Sequence, residues 1–228
     1  MKPIFAPVPA FALLGLISIT PPGAAAAPPA SKDAVQVQTA LSGGGVSARE
    51  SNLGDLVADA LRQTGGAQIG LVAADEISGG AAIPAGRAGV ESIVSTLRYA
   101  DDASDTVVVL NLTGAQLLKV AERSVSRAPE PFDGFLQVSG LQIRYNPSQA
   151  AGGRVSLVGA GGGELDAGKT YRVATTRPIA TGGLGYFQIW SQKDIAEDTG
   201  VSVAKSLKSY LAAHRTVTNT VEGRITTR

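Results

Sequence analysis

His214 is the single histidine among 228 residues, and cysteine is absent. Those two facts bound the chemistry before any fold is considered. A dinuclear hydrolytic centre draws on several imidazole and carboxylate ligands, and one histidine does not supply them. Without cysteine there is no thiolate nucleophile, no thiolate metal site and no disulfide framework. His214 follows Tyr210 at i+4 on an expected helix, so it reads as a surface or packing histidine. The run Gly159-Ala160-Gly161-Gly162-Gly163 lies between two strand-like segments with no helix after it, which does not fit a phosphate-cradling loop. Asn111-Leu112-Thr113 is a formal glycosylation sequon, but Thr113 stands where a helix N-cap is expected, and the match reads as coincidence. These residues assign no catalytic group, no metal ligands and no cofactor.

The elements around them are mixed. Leu53, Leu56, Val57, Ala60 and Leu61 recur at helical spacing, predicting an amphipathic helix over 50–62 with Asn52, Asp55 and Asp59 on its polar side. Ile69 to Val72 reads as a short buried strand, followed by a Gly- and Ala-rich loop to Ala88 and a short helix from Val90 to Leu97. Thr106 to Leu112 is a β-branched strand. Thr113 caps the next helix, whose apolar stripe is Leu117, Val120, Ala121 and Val125. Phe135–Val138 and Leu141–Tyr145 flank Ser139-Gly140, a tight turn between strands. Further strands are expected over 154–158 and 170–176. A last helix carries Val203, Leu207, Tyr210, Leu211 and His214, and Val221 to Ile225 closes the sheet. Helices and strands without βαβ regularity predict an α+β fold with a mixed β-sheet and several packed helices.

The start of the chain reads differently. Lys2, the apolar run Phe11 to Ile19 and the small residues Ala24 to Ala27 together form a secretory signal over 1–27, cleaved near Ala27. Its apolar run is too short to span a bilayer, so no membrane span is expected after cleavage. Residues 28–34 read as a flexible N-terminus and 35–228 as one domain. A periplasmic or secreted location follows. The 20 Lys and Arg against 19 Asp and Glu leave the charge balanced. Nothing supplies the clustered positive surface that nucleic acid needs.

One segment says more than its periodicity. Arg49-Glu50-Ser51-Asn52-Leu53-Gly54-Asp55 before Val57-Ala58-Asp59-Ala60 resembles the opening of the C-terminal domain of 5′-nucleotidases, the UDP-sugar hydrolase and ecto-5′-nucleotidase family. Three later segments agree in order: Leu112-Thr113-Gly114-Ala115-Gln116-Leu117, Phe135-Leu136-Gln137-Val138-Ser139-Gly140, and Ala180-Thr181-Gly182-Gly183-Leu184-Gly185-Tyr186. The resemblance spans roughly 35–226.

In that family a separate metallophosphoesterase domain performs hydrolysis, and the C-terminal domain holds the substrate. The resemblance implies a site of arginines toward phosphates, an Asn and an Asp for polar groups, and two aromatics around the base. Arg49 matches the arginine before the Glu-x-Asn signature. The family's Asn-x-Gly-Gly-x-Arg falls on Ala73 to Ser78, so Ala73 replaces the Asn and Ser78 the Arg, while Asp75 and Glu76 replace the glycines. Tyr99 stands at the first stacking aromatic, followed by a longer loop over Ala100–Ser104. Pro178 and Leu184 replace the second aromatic and the ribose-binding Asp. Such contacts are worth on the order of 1–3 kcal/mol each, and several lost together would take a micromolar site out of useful range.

The expected substrate-binding residues are therefore Arg49 and Tyr99, in a site that has kept its scaffold and lost its nucleotide contacts. The function expected is a non-catalytic binding module for a small ligand or a partner protein. The alternative is the substrate-binding half of a nucleotidase completed by a separate metallophosphoesterase chain.

Overall fold

The helix expected over 50–62 is observed as α1 (Asn52–Thr64), with Ser51 as its cap: the Ser51 hydroxyl accepts the Gly54 N–H at 3.0 Å. The computed structural model describes Met1, residues 33–160 and residues 163–228; residues 2–27 of the expected signal and 28–32 of the expected flexible terminus lie outside the described residues. Before α1 run β1 (Ala34–Val37) and β2 (Leu41–Ser42). After it come β3 (Ile69–Ala73), β4 (Ala82–Ile83), β5 (Gly86–Gly89), α2 (Val90–Val94), β6 (Thr106–Thr113) and α3 (Gly114–Ser124). The chain continues through β7 (Leu136–Ser139), β8 (Leu141–Tyr145), β9 (Val155–Ala160), β10 (Gly163–Glu164) and β11 (Thr170–Thr176). It ends with α4 (Arg177–Ala180), β12 (Ile195–Ser202), α5 (Val203–Ala213), β13 (Thr216–Val217) and β14 (Ile225–Thr227).

The main sheet has the order β12-β6-β11-β3-β7. It is mixed, because β11 runs parallel to β3 and antiparallel to β6. Every residue of β3 is buried, as a central strand covered on both faces requires. A second sheet, β10-β9-β8-β14, stands beside it, with smaller sheets β13-β1-β5 and β2-β4. This is the α+β architecture expected. Among the described residues, no helix is long and apolar enough to cross a membrane.

Several local expectations are corrected. Ser139-Gly140 does join two strands, but they do not pair with each other. β7 pairs with β3 and β8 with β9, so the chain changes sheets at Gly140, which takes φ 68° where a side chain would collide with the Gln68 carbonyl. The last strand is Ile225–Thr227 rather than 221–225, and it lies parallel to β8. β12 goes unforeseen: its eight residues pair with β6 at the sheet edge with two register irregularities, the kind of bulged edge that carries no alternating pattern.

The larger correction concerns α1. Leu53, Leu56, Val57 and Leu61 are fully buried, as the stripe predicts. The polar side is covered too. Asn52 and Asp55 are buried, and Asp59 accepts hydrogen bonds from Ser139, Asn219 and Arg224. Asn52, Asp55 and Asp59 are thus covered by the fold instead of facing water; Asn52 and Asp59 are hydrogen-bonded there, while the Asp55 oxygens have no hydrogen-bond partner.

Candidate functional site

The segments that the resemblance assigns to ligand binding meet in a chain of short contacts. Residue 43 hydrogen-bonds the 78–81 turn (Gly43 N–H to Ala81 carbonyl, 2.9 Å), and Phe132 N–H reaches the Ser47 carbonyl at 2.9 Å. Residues 74–78 are zipped to 96–98: Arg98 N–H donates to the Glu76 carbonyl, Ser78 N–H to the Thr96 carbonyl, both at 2.9 Å. Arg177 closes the circuit by donating to the Ser104 carbonyl and the Thr106 hydroxyl.

Tyr99 lies on this rim, 44% exposed, so its ring is open to solvent. Its hydroxyl donates to the Asp75 carboxylate at 3.0 Å. That bond, together with the charge on Asp75, holds the phenol above its ordinary pKa. Arg49 is exposed with its guanidinium laid across Gly45, while its carbonyl is held by the Gln137 amide at 2.8 Å. Ala73 is buried at the end of β3 and Pro178 is exposed in the first turn of α4. No contact joins Arg49 and Tyr99 among those described.

Leu184 has φ 54° and ψ 22°, a left-handed conformation that bulky side chains rarely adopt and that Asn and Asp tolerate better. Arg123 secures it: Nε and Nη2 donate to the Leu184 carbonyl at 3.0 and 2.6 Å. The same guanidinium lies 4.7 Å from the centre of the Phe132 ring. Phe132 and Arg123 were not foreseeable from motif matching, since each acts on a loop distant in sequence.

A second feature lies on the turn that carries Asp75. Glu76 and Asp105 are 3% and 4% exposed and lie carboxyl to carboxyl. Burial first, and the facing Asp105 second, push the Glu76 carboxyl up to about 8; Asp105 is also raised, chiefly by burial. Neither Asp105 oxygen has a donor in good hydrogen-bonding geometry, although the Arg177 backbone N–H lies near it. Two adjacent carboxyls in that setting are stable only when a proton lies between them. Glu76 is visible in the sequence as a carboxylate replacing glycine. Asp105 gives one weak signal, an acid flush against the apolar strand β6.

The signature residues on α1 serve the scaffold. Glu50 accepts three backbone N–H groups, from Glu222, Gly223 and Ile225, at 2.6, 3.0 and 2.9 Å. Asn52 accepts from Ser42 N–H and donates to the Ala40 and Asn219 carbonyls. Gln137, from the Phe-Leu-Gln-Val segment, accepts the Ser51 N–H and donates to the Val46 and Arg49 carbonyls. A Cβ at position 54 would run into the Gln137 side chain, which explains the glycine of the signature. Asp55 is fully buried, and burial drives its carboxyl up to about 9. Arg224 Nε is 3.8 Å from it, yet that guanidinium is engaged by Asp59 at 2.8 Å and by Glu222 at 3.0 Å. Asp55 is therefore the neutral member of the group.

His214 ends α5, exposed and stacked on Tyr210 with ring centres 4.1 Å apart. Among the described residues, no three His, Cys, Asp or Glu side chains are grouped to hold a metal ion.

A family model described as 5′-nucleotidase, C-terminal domain matches residues 31–192. The chain is 29% identical over 145 residues to a 5′-nucleotidase of Diplobatis ommata, covering 60% of this chain and 24% of that protein. The structure superposes on that of a 5′-nucleotidase precursor from Thermus thermophilus with a TM-score of 0.75 and 34% identity, covering 85% of this chain and 39% of the other. The fold also matches Haemophilus influenzae NAD nucleotidase, TM-score 0.72 at 17% identity, over 85% of this chain and 37% of that one. The chain thus spans well under half the length of each of these relatives.

Proposed function

The chain belongs to the 5′-nucleotidase C-terminal domain family, and we propose that it is an exported binding module, non-catalytic on its own, whose nucleotide site is degenerate. The observation that carries this reading is the engagement of Tyr99 by Asp75. The aromatic at the first stacking position is tied to a carboxylate at the place where an anionic ligand would approach, and like charges oppose that approach. Leu184 and Pro178 offer neither a carboxylate for a ribose nor a second ring. Arg49 and Tyr99 are then the surviving contacts for a small ligand that is not a nucleotide. Residues 1–27 direct export to the periplasm or exterior.

The match to the C-terminal domain of 5′-nucleotidases supports a second reading. In it the chain supplies the substrate-binding half, and a separate metallophosphoesterase chain supplies the metal chemistry. Isothermal titration of the purified chain with adenosine, AMP and UDP-glucose, alongside phosphate release with added divalent metal, tests the first reading. No micromolar binding and no phosphate release are expected. Micromolar affinity for any of the three ligands, or metal-dependent hydrolysis by the chain alone, would overturn it. Hydrolysis that appears only with an added phosphoesterase chain would establish the second.

A further inference from the structure

Glu76 and Asp105 join two segments that are far apart in sequence and adjacent on the ligand rim. Glu76 ends the helical turn after β3, and Asp105 ends the 97–105 loop, immediately before β6. Between them the two segments share the Arg98-to-Glu76 and Ser78-to-Thr96 backbone bonds, the Arg98 Nε bond to the Ile77 carbonyl and the Tyr99–Asp75 bond. Both carboxyl-bearing residues are buried. Their surroundings do not neutralise two charges. On the same turn stands Asp75, a third acid, and from the loop Asp102 adds a fourth. Thr176, at the end of β11, lies near Glu76, but its hydroxyl has no hydrogen-bond partner. Arg177 faces Asp105 with its backbone N–H and its charge, both favouring the ionised carboxyl, but its guanidinium is paired with Asp198 and its Nε is taken by Ser104 and Thr106. Arg98 is exposed, and Tyr99 points its hydroxyl at Asp75.

We propose that Glu76 and Asp105 act as a one-proton latch: the shared proton holds the 97–105 loop against residues 74–78, and its loss frees the loop and opens the ligand rim. This rests on the reading of that rim as the ligand site of a binding module, and it adds regulation by pH. The latch itself is a property of the two carboxyls and stands apart from which ligand binds. Each carboxyl is more protonated in the closed fold than in water. The contribution is therefore fully present below the ordinary carboxylate range, and it is lost as pH rises through the folded value of Glu76. Repulsion between two ions, with the neighbouring Arg177 already engaged elsewhere, then acts directly on the loop.

The test follows the carboxyls and the zipper separately from any ligand. Carbon-13 titration of the Glu76 carboxyl reads its ionisation, and amide exchange at Ser78 and Arg98, corrected for intrinsic rate, reads the zipper between about pH 5.5 and about pH 9.5. Glu76 is expected to titrate well above the ordinary range, with protection at both amides falling by about tenfold or more across that titration. Glu76→Gln keeps a donor toward Asp105 without ionising, so its zipper amides lose no more protection than those of the central strand β3. Asp105→Asn removes the facing charge and flattens the profile in the same way, which covers the case in which Glu76→Gln does not fold. A Glu76 that titrates in the ordinary carboxylate range, protection that is equal at both ends, or an Asp105→Asn profile like that of the wild type would each overturn the latch. A nucleotide titration that fails or succeeds moves none of these readouts, so the latch and the degenerate-site reading fall separately.

Discussion

Glu50 and Ile225 are joined directly: the carboxylate that precedes the α1 cap accepts the N–H of the first residue of β14 at 2.9 Å. With the Glu222 and Gly223 amides on its other oxygen, Glu50 fixes the chain's last strand from the opening of its first helix. A buried carboxylate that satisfies three amides is worth more than a surface charge, since truncation leaves the donors without partners. Glu50→Ala is expected to cost about 3 kcal/mol in a urea melt. A loss under about 0.5 kcal/mol, the range of ordinary surface changes, would mean that water replaces those bonds freely.

Leu56 and Arg49 separate scaffold from site. Leu56 is fully buried in α1 and Arg49 is exposed at the rim. Leu56→Ala should lower stability by about 2–5 kcal/mol, as truncated core leucines do. Arg49→Ala should stay within about 0.5 kcal/mol. Urea melts of the two variants decide it; an Arg49→Ala loss larger than that of Leu56→Ala would reassign Arg49 from ligand contact to fold.

α1, β6 and β11 are legible in the sequence because one stripe, or one run of β-branched residues, dominates each. The Thr113–Gln116 capping box is legible for the same reason, since the bonds are local. The elements that escape depend on distant partners. Ile195–Ser202 has no alternation to read, and it is a strand only because β6 lies beside it. Ser139-Gly140 has the sequence of a hairpin turn, but the approach of the Gln68 carbonyl sends the chain into another sheet. At the rim, the residue types at Asp75, Glu76 and Tyr99 are readable from position. That Tyr99 turns to Asp75, or that Glu76 meets Asp105, is set by how the 74–78 and 97–105 segments pack. The polar side of α1 misleads most, because periodicity reports which residues are polar and not whether Asn219 and Arg224 return to cover them.

The Tyr99–Asp75 bond makes a prediction about titration. The ionised Asp75 accepts the phenolic proton and so holds it on, raising the Tyr99 pKa. Asp75→Ala removes both the acceptor and the charge, and the Tyr99 pKa should fall toward its ordinary value. Ring-carbon NMR of labelled tyrosine follows the residue individually. A value that is unchanged or higher in the variant would show that Asp75 does not hold the hydroxyl in solution.

Asp55 supplies the clearest pH dependence. Its carboxyl is raised from 3.8 to about 9, first by burial, with Arg224 opposing and Glu50 and Asp59 reinforcing. The folded chain therefore binds a proton that the unfolded chain releases. The corresponding stability is complete below the unfolded pKa, declines as pH rises above it, and is gone once pH passes the folded value. Between about pH 5 and about pH 8 this one group should lower stability on the order of 1 kcal/mol per pH unit. Asp55→Asn keeps the shape and cannot ionise, so its stability should fall less steeply over that interval. Because the Asp55 oxygens meet no donor in the fold, the exchange to Asn leaves no acceptor bond broken. Urea melts of wild type and Asp55→Asn at matched pH values give the two slopes. Equal slopes would show that Asp55 is ionised in the folded protein, which would make Arg224 its partner rather than that of Asp59.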